Sequence, residues 1–490
     1  MTGRRGGWLL AAGGLLAGGC GQEPPVEPPA GPVRLVVTAS DTLTAPNSRL
    51  TFAAQAEDRE GRVVATEAVA WSVSDTLRGR IGPDGAFVGG PWVGRLHVRA
   101  TLATPELADS VAVRIVPPGT VKWTWAATQV WGSLQHLGGP SLGRDGTVYV
   151  LLATGTTPDR PAVLAALAPD GAVRWTRDLP QVYDSYVVVT PVEERLWVAD
   201  RRLHLVGLDG SLLWDSLTEA RSSGLKGGAA STDYLVSAHG VRLAVFRAGD
   251  RALVWQAREA PFSDWLVPPT LTAQDQVLAK LTDDTLFVFG AADGQRHRFF
   301  VDPDTGLDKR VFGRGTVPVG DRYYLPTQGR LASYDSAGPL RWLTEDTGNG
   351  MTEPAVGPDG SLYVQNRRHG LWALTAEGTE RWKRFDVQPR WPALGGVALA
   401  AGGILYAAGI DAFWAVDTAG RTLWKHVVDS AGAPQPFTGA PAIAPDGTIY
   451  TWTSTHLCAF WGSAPPEPDS PWPMWRHDAQ RTGWAGYRSN

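Results

Sequence analysis

The chain is poor in the residues that carry covalent and metal chemistry. Two of its 490 residues are cysteine, Cys20 and Cys458, and no C-x-x-C spacing exists. That removes the usual zinc knuckle and thioredoxin-like redox centre. Nine histidines are scattered along the chain without an H-E-x-x-H pair, which points away from a zinc protease. No G-x-x-x-x-G-K segment is present to cradle a phosphate. Charge is nearly balanced, at a net −4, with no long acidic or basic run. Nucleic acid is therefore a poor match as a partner. What remains is a hydrophobic content of 43% and a charged content of 19%, ordinary for a folded soluble chain. Beside them stand 57 glycines, 37 prolines and 22 tryptophans, which need a structural reason.

The first twenty residues read as an export signal. Arg4 and Arg5 give a positive start, and Trp8 to Ala17 give an apolar core of about ten residues, too short to span a bilayer. Leu16-Ala17-Gly18-Gly19 before Cys20 resembles a lipoprotein signal, although Ala17 stands where leucine is preferred. The resemblance implies that Cys20 becomes the lipidated first residue of the mature chain. The plainer alternative is a chance cysteine behind an ordinary secretory signal. Arg4-Arg5 leaves Sec and twin-arginine export both open. Residues 21–32 are rich in proline and favour an extended tether that builds no core. Gly21, rather than aspartate, after the cysteine resembles the signal for outer-membrane delivery.

Residues 33–117 alternate apolar and polar side chains, as in Val69-Ala70-Trp71-Ser72-Val73 and Leu96-His97-Val98-Arg99-Ala100. The pattern predicts a β-sandwich of about seven strands with Trp71 as its core aromatic. Asp58, Gly61, Trp71-Ser72-Val73-Ser74-Asp75, the Asp84-Gly85 turn, Gly94 and Val98 resemble the bacterial immunoglobulin-like domains of group 2. Such domains are usually spacers or adhesion modules.

From residue 119 to 463 a unit recurs: a glycine, three residues, then tryptophan. It stands at Gly171/Trp175, Gly210/Trp214, Gly338/Trp342, Gly378/Trp382 and Gly420/Trp424. In worn copies Arg251 replaces the glycine before Trp255, and Arg298 replaces the tryptophan after Gly294. Each is preceded by a turn and strand such as Asp359-Gly360-Ser361-Leu362-Tyr363-Val364. Asp-Gly supplies a tight hairpin, and a regularly spaced indole can seal one four-stranded sheet against the next. Eight such second strands are present, but the last repeat, Thr448 to Phe460, breaks off at Ser463 without an outer strand. Gly119/Trp123 has the right register and no strand unit before it. The expectation is a ring whose final sheet borrows residues 121–125 from the front of the array, which hides the edges. Seven blades is the alternative, if 267–312 is one loop-rich repeat. Ala393–Ile410 carries no charge over eighteen residues, yet its glycine pairs predict two buried strands rather than a membrane span.

These repeats resemble the quinoprotein-like β-propellers. The fold class expected is thus all-β, a small immunoglobulin-like sandwich followed by an eight-bladed propeller closed by an N-terminal strand. The tail 464–490 contains Trp472-Pro473-Met474-Trp475-Arg476-His477-Asp478-Ala479-Gln480-Arg481-Thr482-Gly483, similar to a segment that often leads into such propellers; here it trails. Enzymes of the family bind pyrroloquinoline quinone and calcium, typically with two adjacent cysteines stacked on the quinone. This chain has no adjacent cysteines, so no catalytic residue, cofactor or metal ligand is nominated. Asp302, Asp304 and Asp308 could hold calcium in a loop, but a hairpin turn explains them as well. The function expected is a non-catalytic, monomeric scaffold, anchored through Cys20 to the outer membrane, on its periplasmic side or at the cell surface. Its partner would be an envelope protein or polysaccharide. One version resembles the propeller lipoprotein of outer-membrane β-barrel assembly, from which the inserted sandwich departs. The alternative is a quinone-dependent oxidoreductase.

Overall fold

The protein is described by a computed structural model. It covers residues 31–486 apart from 65–67, 127–134, 137–138, 154–161, 181, 183–184, 192, 201, 218–226, 240–241, 259–267, 281–284, 302–314, 328, 346, 348–349, 391–395, 428, 431–432 and 435. Cys20, the tether to Ala30, and the Asp302–Asp308 loop lie outside the described residues. Every regular element among the described residues is a strand. Among the described residues no helix is long and apolar enough to cross a membrane.

Two sheets, of five and four strands, form the N-terminal sandwich. Alternation sends Leu50, Phe52 and Ala56 inward from one sheet and Leu96, Val98 and Ala100 from the other. The deepest aromatics are Phe52 and Phe87, at 2% and 0% exposure. Trp71, expected at the centre, is half-buried at the margin and meets Phe52 edge-on with ring centroids 6.2 Å apart. It sits on a short strand, Ala70–Val73, at the edge of its sheet, where the sandwich is not closed on both sides.

Eight larger sheets follow among the described residues, seven of four strands and one of five, in addition to a two-stranded ribbon of Asp429–Ser430 and Ala433–Pro434. In seven of them the chain runs through the strands in order, from the inner strand outward. The eighth is composite. Its order is Val121–Ala126, His456–Phe460, Ile449–Trp452, Ala442–Ile443, so its outer strand comes from the front of the array. The register is antiparallel, with Trp123 opposite Ala459, Thr124 opposite Cys458 and Trp125 opposite Leu457. Region 267–312 contributes a sheet of its own, from Thr270–Leu271 to Arg296–Val301. Val397–Ala400 and Ile404–Ala408 pair across a turn with Gly402 and Gly403 at positive φ, so the uncharged stretch forms buried strands.

The glycine and the tryptophan of one unit serve two different interfaces. The indole lies on the glycine of the next sheet and donates its N–H to a carbonyl just before that glycine. Trp175 lies over Gly210 and donates to Leu208 O at 2.7 Å. Trp342 pairs with Gly378 and Ala376 O, and Trp382 with Gly420 and Thr418 O. Any Cβ at Gly171 would come within 2.8 Å of the Trp123 ring, and φ there is +89°, so glycine satisfies both sterics and backbone. Within five of the sheets a tyrosine from the second strand packs on that sheet's own indole, as Tyr149 on Trp175 and Tyr363 on Trp382, and in the second sheet Trp197 takes the tyrosine's place against Trp214. The composite sheet obeys both rules. Trp424 of the seventh sheet lies on Gly119, Trp123 lies on Gly171 of the first, and Tyr450 packs on Trp123. The succession of sheets therefore returns to its start, and the architecture is that of a β-propeller.

Candidate functional site at the ring axis

The inner strands of a ring present backbone N–H groups toward its axis, and buried donors need partners. Here the C-terminal tail supplies them. Leu142, Val189, Ala230 and Leu271, from the first four sheets, donate to the carbonyls of Ala479, Gln480, Thr482 and Gly483 at 2.8–2.9 Å. Val356 and Leu399, from the sixth and seventh, donate to Trp472 and Pro473 at 2.8 and 2.7 Å. The boundary at 463 thus separates two stretches of sequence but not two bodies: the tail is the core of the ring.

Two arginines of the tail are fully buried. Arg481 donates to four carbonyls: Pro140 at 3.0 Å, Trp475 at 2.7 Å, Ala440 at 3.1 Å and Pro441 at 3.0 Å. Its guanidinium also lies over the Trp475 ring, 5.2 Å from the centroid. Burial lowers its pKa to about 10, which still leaves it cationic at neutral pH. Arg476 donates to Thr270 Oγ1 at 3.1 Å and to the Pro269 and Gly228 carbonyls. Its countercharge is Glu353, with Nη1 3.8 Å from Oε1. Glu353 accepts from the backbone N–H of Gly315 and of Arg476. Burial pushes its carboxyl up, and the nearby Arg476 opposes that shift. Arg476 Nε, Gln480 Oε1 and Trp472 Nε1 are buried without a hydrogen-bond partner among the described residues, the kind of position internal water serves.

The backbone of the tail is bent to fit. Arg476, His477 and Arg481 have φ of 60°, 78° and 60°, a region costing a non-glycine residue roughly 1–2 kcal/mol. The turn is held by Asp478, whose carboxylate accepts from Thr482 N at 3.0 Å and from the Thr482 hydroxyl. Chemically, the axis is a packed bundle of charge-assisted hydrogen bonds.

Other candidates disperse. Cys458 is a free, buried thiol, with its pKa pushed up to about 12 by burial. No group of three or more metal-ligating side chains occurs among the described residues. Gly139-Pro140-Ser141-Leu142-Gly143 has the G-x-S-x-G spacing of a nucleophile elbow. Ser141, however, lies on an inner strand, fully buried, and donates to Val187 O at 2.5 Å. A missed regularity is the basic residue just before several tryptophans. Arg174, Arg381 and Lys122 reach Asp145, Asp359 and Asp446 of the Asp-Gly turns in their own sheets. It was visible as Arg-Trp or Lys-Trp dipeptides recurring in register.

No protein-family model matches the chain, and no curated protein matches it. Among solved structures it is similar to the crystal structure of BamB from Moraxella catarrhalis, at 15% identity over 70% of this chain and 97% of that one, with a TM-score of 0.47. It is also similar to the computationally designed protein Ika8, at 12% identity over 66% of this chain and 97% of that one, with a TM-score of 0.50. At these identities the likeness concerns the fold, and the ring's description rests on its own strands, locks and hydrogen bonds.

Proposed function

We propose that the protein is a non-catalytic scaffold of the cell envelope, lipid-anchored through Cys20 to the outer membrane. Its eight sheets act as the eight blades of one rigid propeller, carried on an immunoglobulin-like spacer. The observation that supports this reading best is the filled axis. A tail that satisfies inner-strand donors and buries two arginines there occupies the space a central cofactor would need. Binding is then a property of the outer surfaces and loops, and the partner is an envelope protein or polysaccharide, as in outer-membrane assembly.

Three experiments test this. Incubating the purified protein with pyrroloquinoline quinone and calcium should give neither stoichiometric binding nor dye reduction with alcohols or sugars. Either result would favour an oxidoreductase instead. Crosslinking in cells should recover a reproducible envelope partner, and failure to recover one would count against the scaffold. Radiolabelled palmitate should enter the wild-type chain and not the Cys20→Ser variant.

A further inference from the structure

One end of the sandwich is apolar at its tip and basic around it. Leu77, Trp92 and Val93 are 69%, 63% and 45% exposed. They stand on two loops fastened together, since Gly90 N donates to Arg78 O at 2.7 Å and Arg78 Nε donates to Val93 O at 3.1 Å. An exposed tryptophan beside two exposed aliphatic side chains has no role in folding the sandwich, whose core lies between the sheets.

The arginines nearby are arranged at a cost. Arg95 and Arg114 are direct cross-strand partners in one sheet. In the other, Arg49 and Arg80 flank Val88 from its two neighbouring strands. Like charges directly opposite, as Arg95 and Arg114 are, repel and destabilise a sheet. All four are exposed, and none has an ion-pair partner among the described residues. Of the acids at this end, Asp75 is paired with Arg78, and Asp41 accepts from the backbone N–H groups of its own loop. The opposite end of the sandwich, where Val33 enters beside Glu57, carries Glu57, Asp58 and Glu60 alongside Arg34 and Arg62.

Protruding tryptophan and aliphatic side chains ringed by unpaired arginines match the interface of an anionic bilayer, where indoles settle among headgroups and each basic side chain adds about 1 kcal/mol. We propose that this end of the sandwich docks on an anionic lipid surface. An acidic polymer would use the arginines but leave Leu77, Trp92 and Val93 unexplained. The proposal rests on the envelope reading only for the presence of a membrane. Reach is sufficient. The strand Arg49–Glu57 separates tip and tether by roughly 27 Å, and twelve extended tether residues span roughly 37 Å. The tip also lies by the junction with the ring, where Ala45 and Val116 pack on Trp461. Docking would hold the ring beside the bilayer instead of a tether's length away.

The test uses residues 21–490, which retain every described residue and lack Cys20, with vesicles of phosphatidylcholine alone or mixed with phosphatidylglycerol. The protein should sediment with the anionic vesicles at low salt and be released at high salt. Trp92→Ser should weaken binding about tenfold or more, Trp92→Phe should largely restore it, and Arg49→Glu with Arg80→Glu should abolish it. All are surface changes, and an unchanged thermal melt checks the fold. No sedimentation, or equal sedimentation of Trp92→Ser, would overturn the proposal. So would equally tight retention on a soluble polyanion such as heparin that ignores Trp92. Because this chain carries no acyl group, such a failure leaves the Cys20 anchor to be judged by palmitate labelling.

Discussion

The rim and the axis of the ring are held by opposite means. At the rim one device repeats: an indole on a glycine, one N–H to a carbonyl, a tyrosine behind. At the axis nothing repeats; Arg481 and Arg476 each gather partners from more than one sheet. A repeated lock distributes stability over many similar contacts, so a worn copy is tolerated. The third sheet has Arg251 at φ 61° in place of the glycine, and no atom of the described residues lies within 4 Å of a Cβ position at Gly338. A central bolt has no spare copy. Its loss is felt by every sheet that leans on it.

The largest effect should therefore come from the axis. Arg481→Ala leaves four carbonyls without a donor inside the ring. It should cost about 4 kcal/mol or more in a denaturant titration, if the chain folds at all. Trp123→Ala removes one half-buried lock, at the closing seam, and should cost about 2 kcal/mol. Equal losses would erase the distinction between bolt and lock. Arg251→Gly restores a worn lock and relieves a left-handed backbone, so it should raise stability by roughly 1 kcal/mol.

The smallest effect is that of pH. Burial lowers the pKa of His204, whose Nε2 lies 3.2 Å from Pro180 O, and of His426. The unfolded chain then takes up protons that the folded one refuses. Their contribution is complete above the ordinary histidine value of 6.5 and fades as pH falls below it. Urea midpoints should drop between pH 7.5 and 5, and His204→Gln should shallow that drop; an unchanged slope would mean that His204 is not the titrating group.

The same contrast explains what could be read from the sequence. The rim was legible because its lock needs glycine and tryptophan at a fixed spacing, repeated until chance is excluded; the orphan Gly119/Trp123 even announced the seam. The axis was not. Arg476 and Arg481 look like surface residues in a polar tail, and only the completed ring supplies the carbonyls that bury them. Trp71 was overvalued for a related reason: size and alternation suggest a core position, but strand length decided that Phe52 and Phe87 hold it.

The central claim is that strand 121–126 closes the ring on strand 456–460. Thr124 lies opposite Cys458, the native thiol, and partners in an antiparallel register have Cα atoms about 4.5–5.5 Å apart, within disulfide range. In residues 21–490 carrying Thr124→Cys, mild oxidation followed by peptide mapping should recover the two cysteines in one crosslinked peptide pair. Recovery of both thiols free from an oxidised, folded sample would contradict the closure.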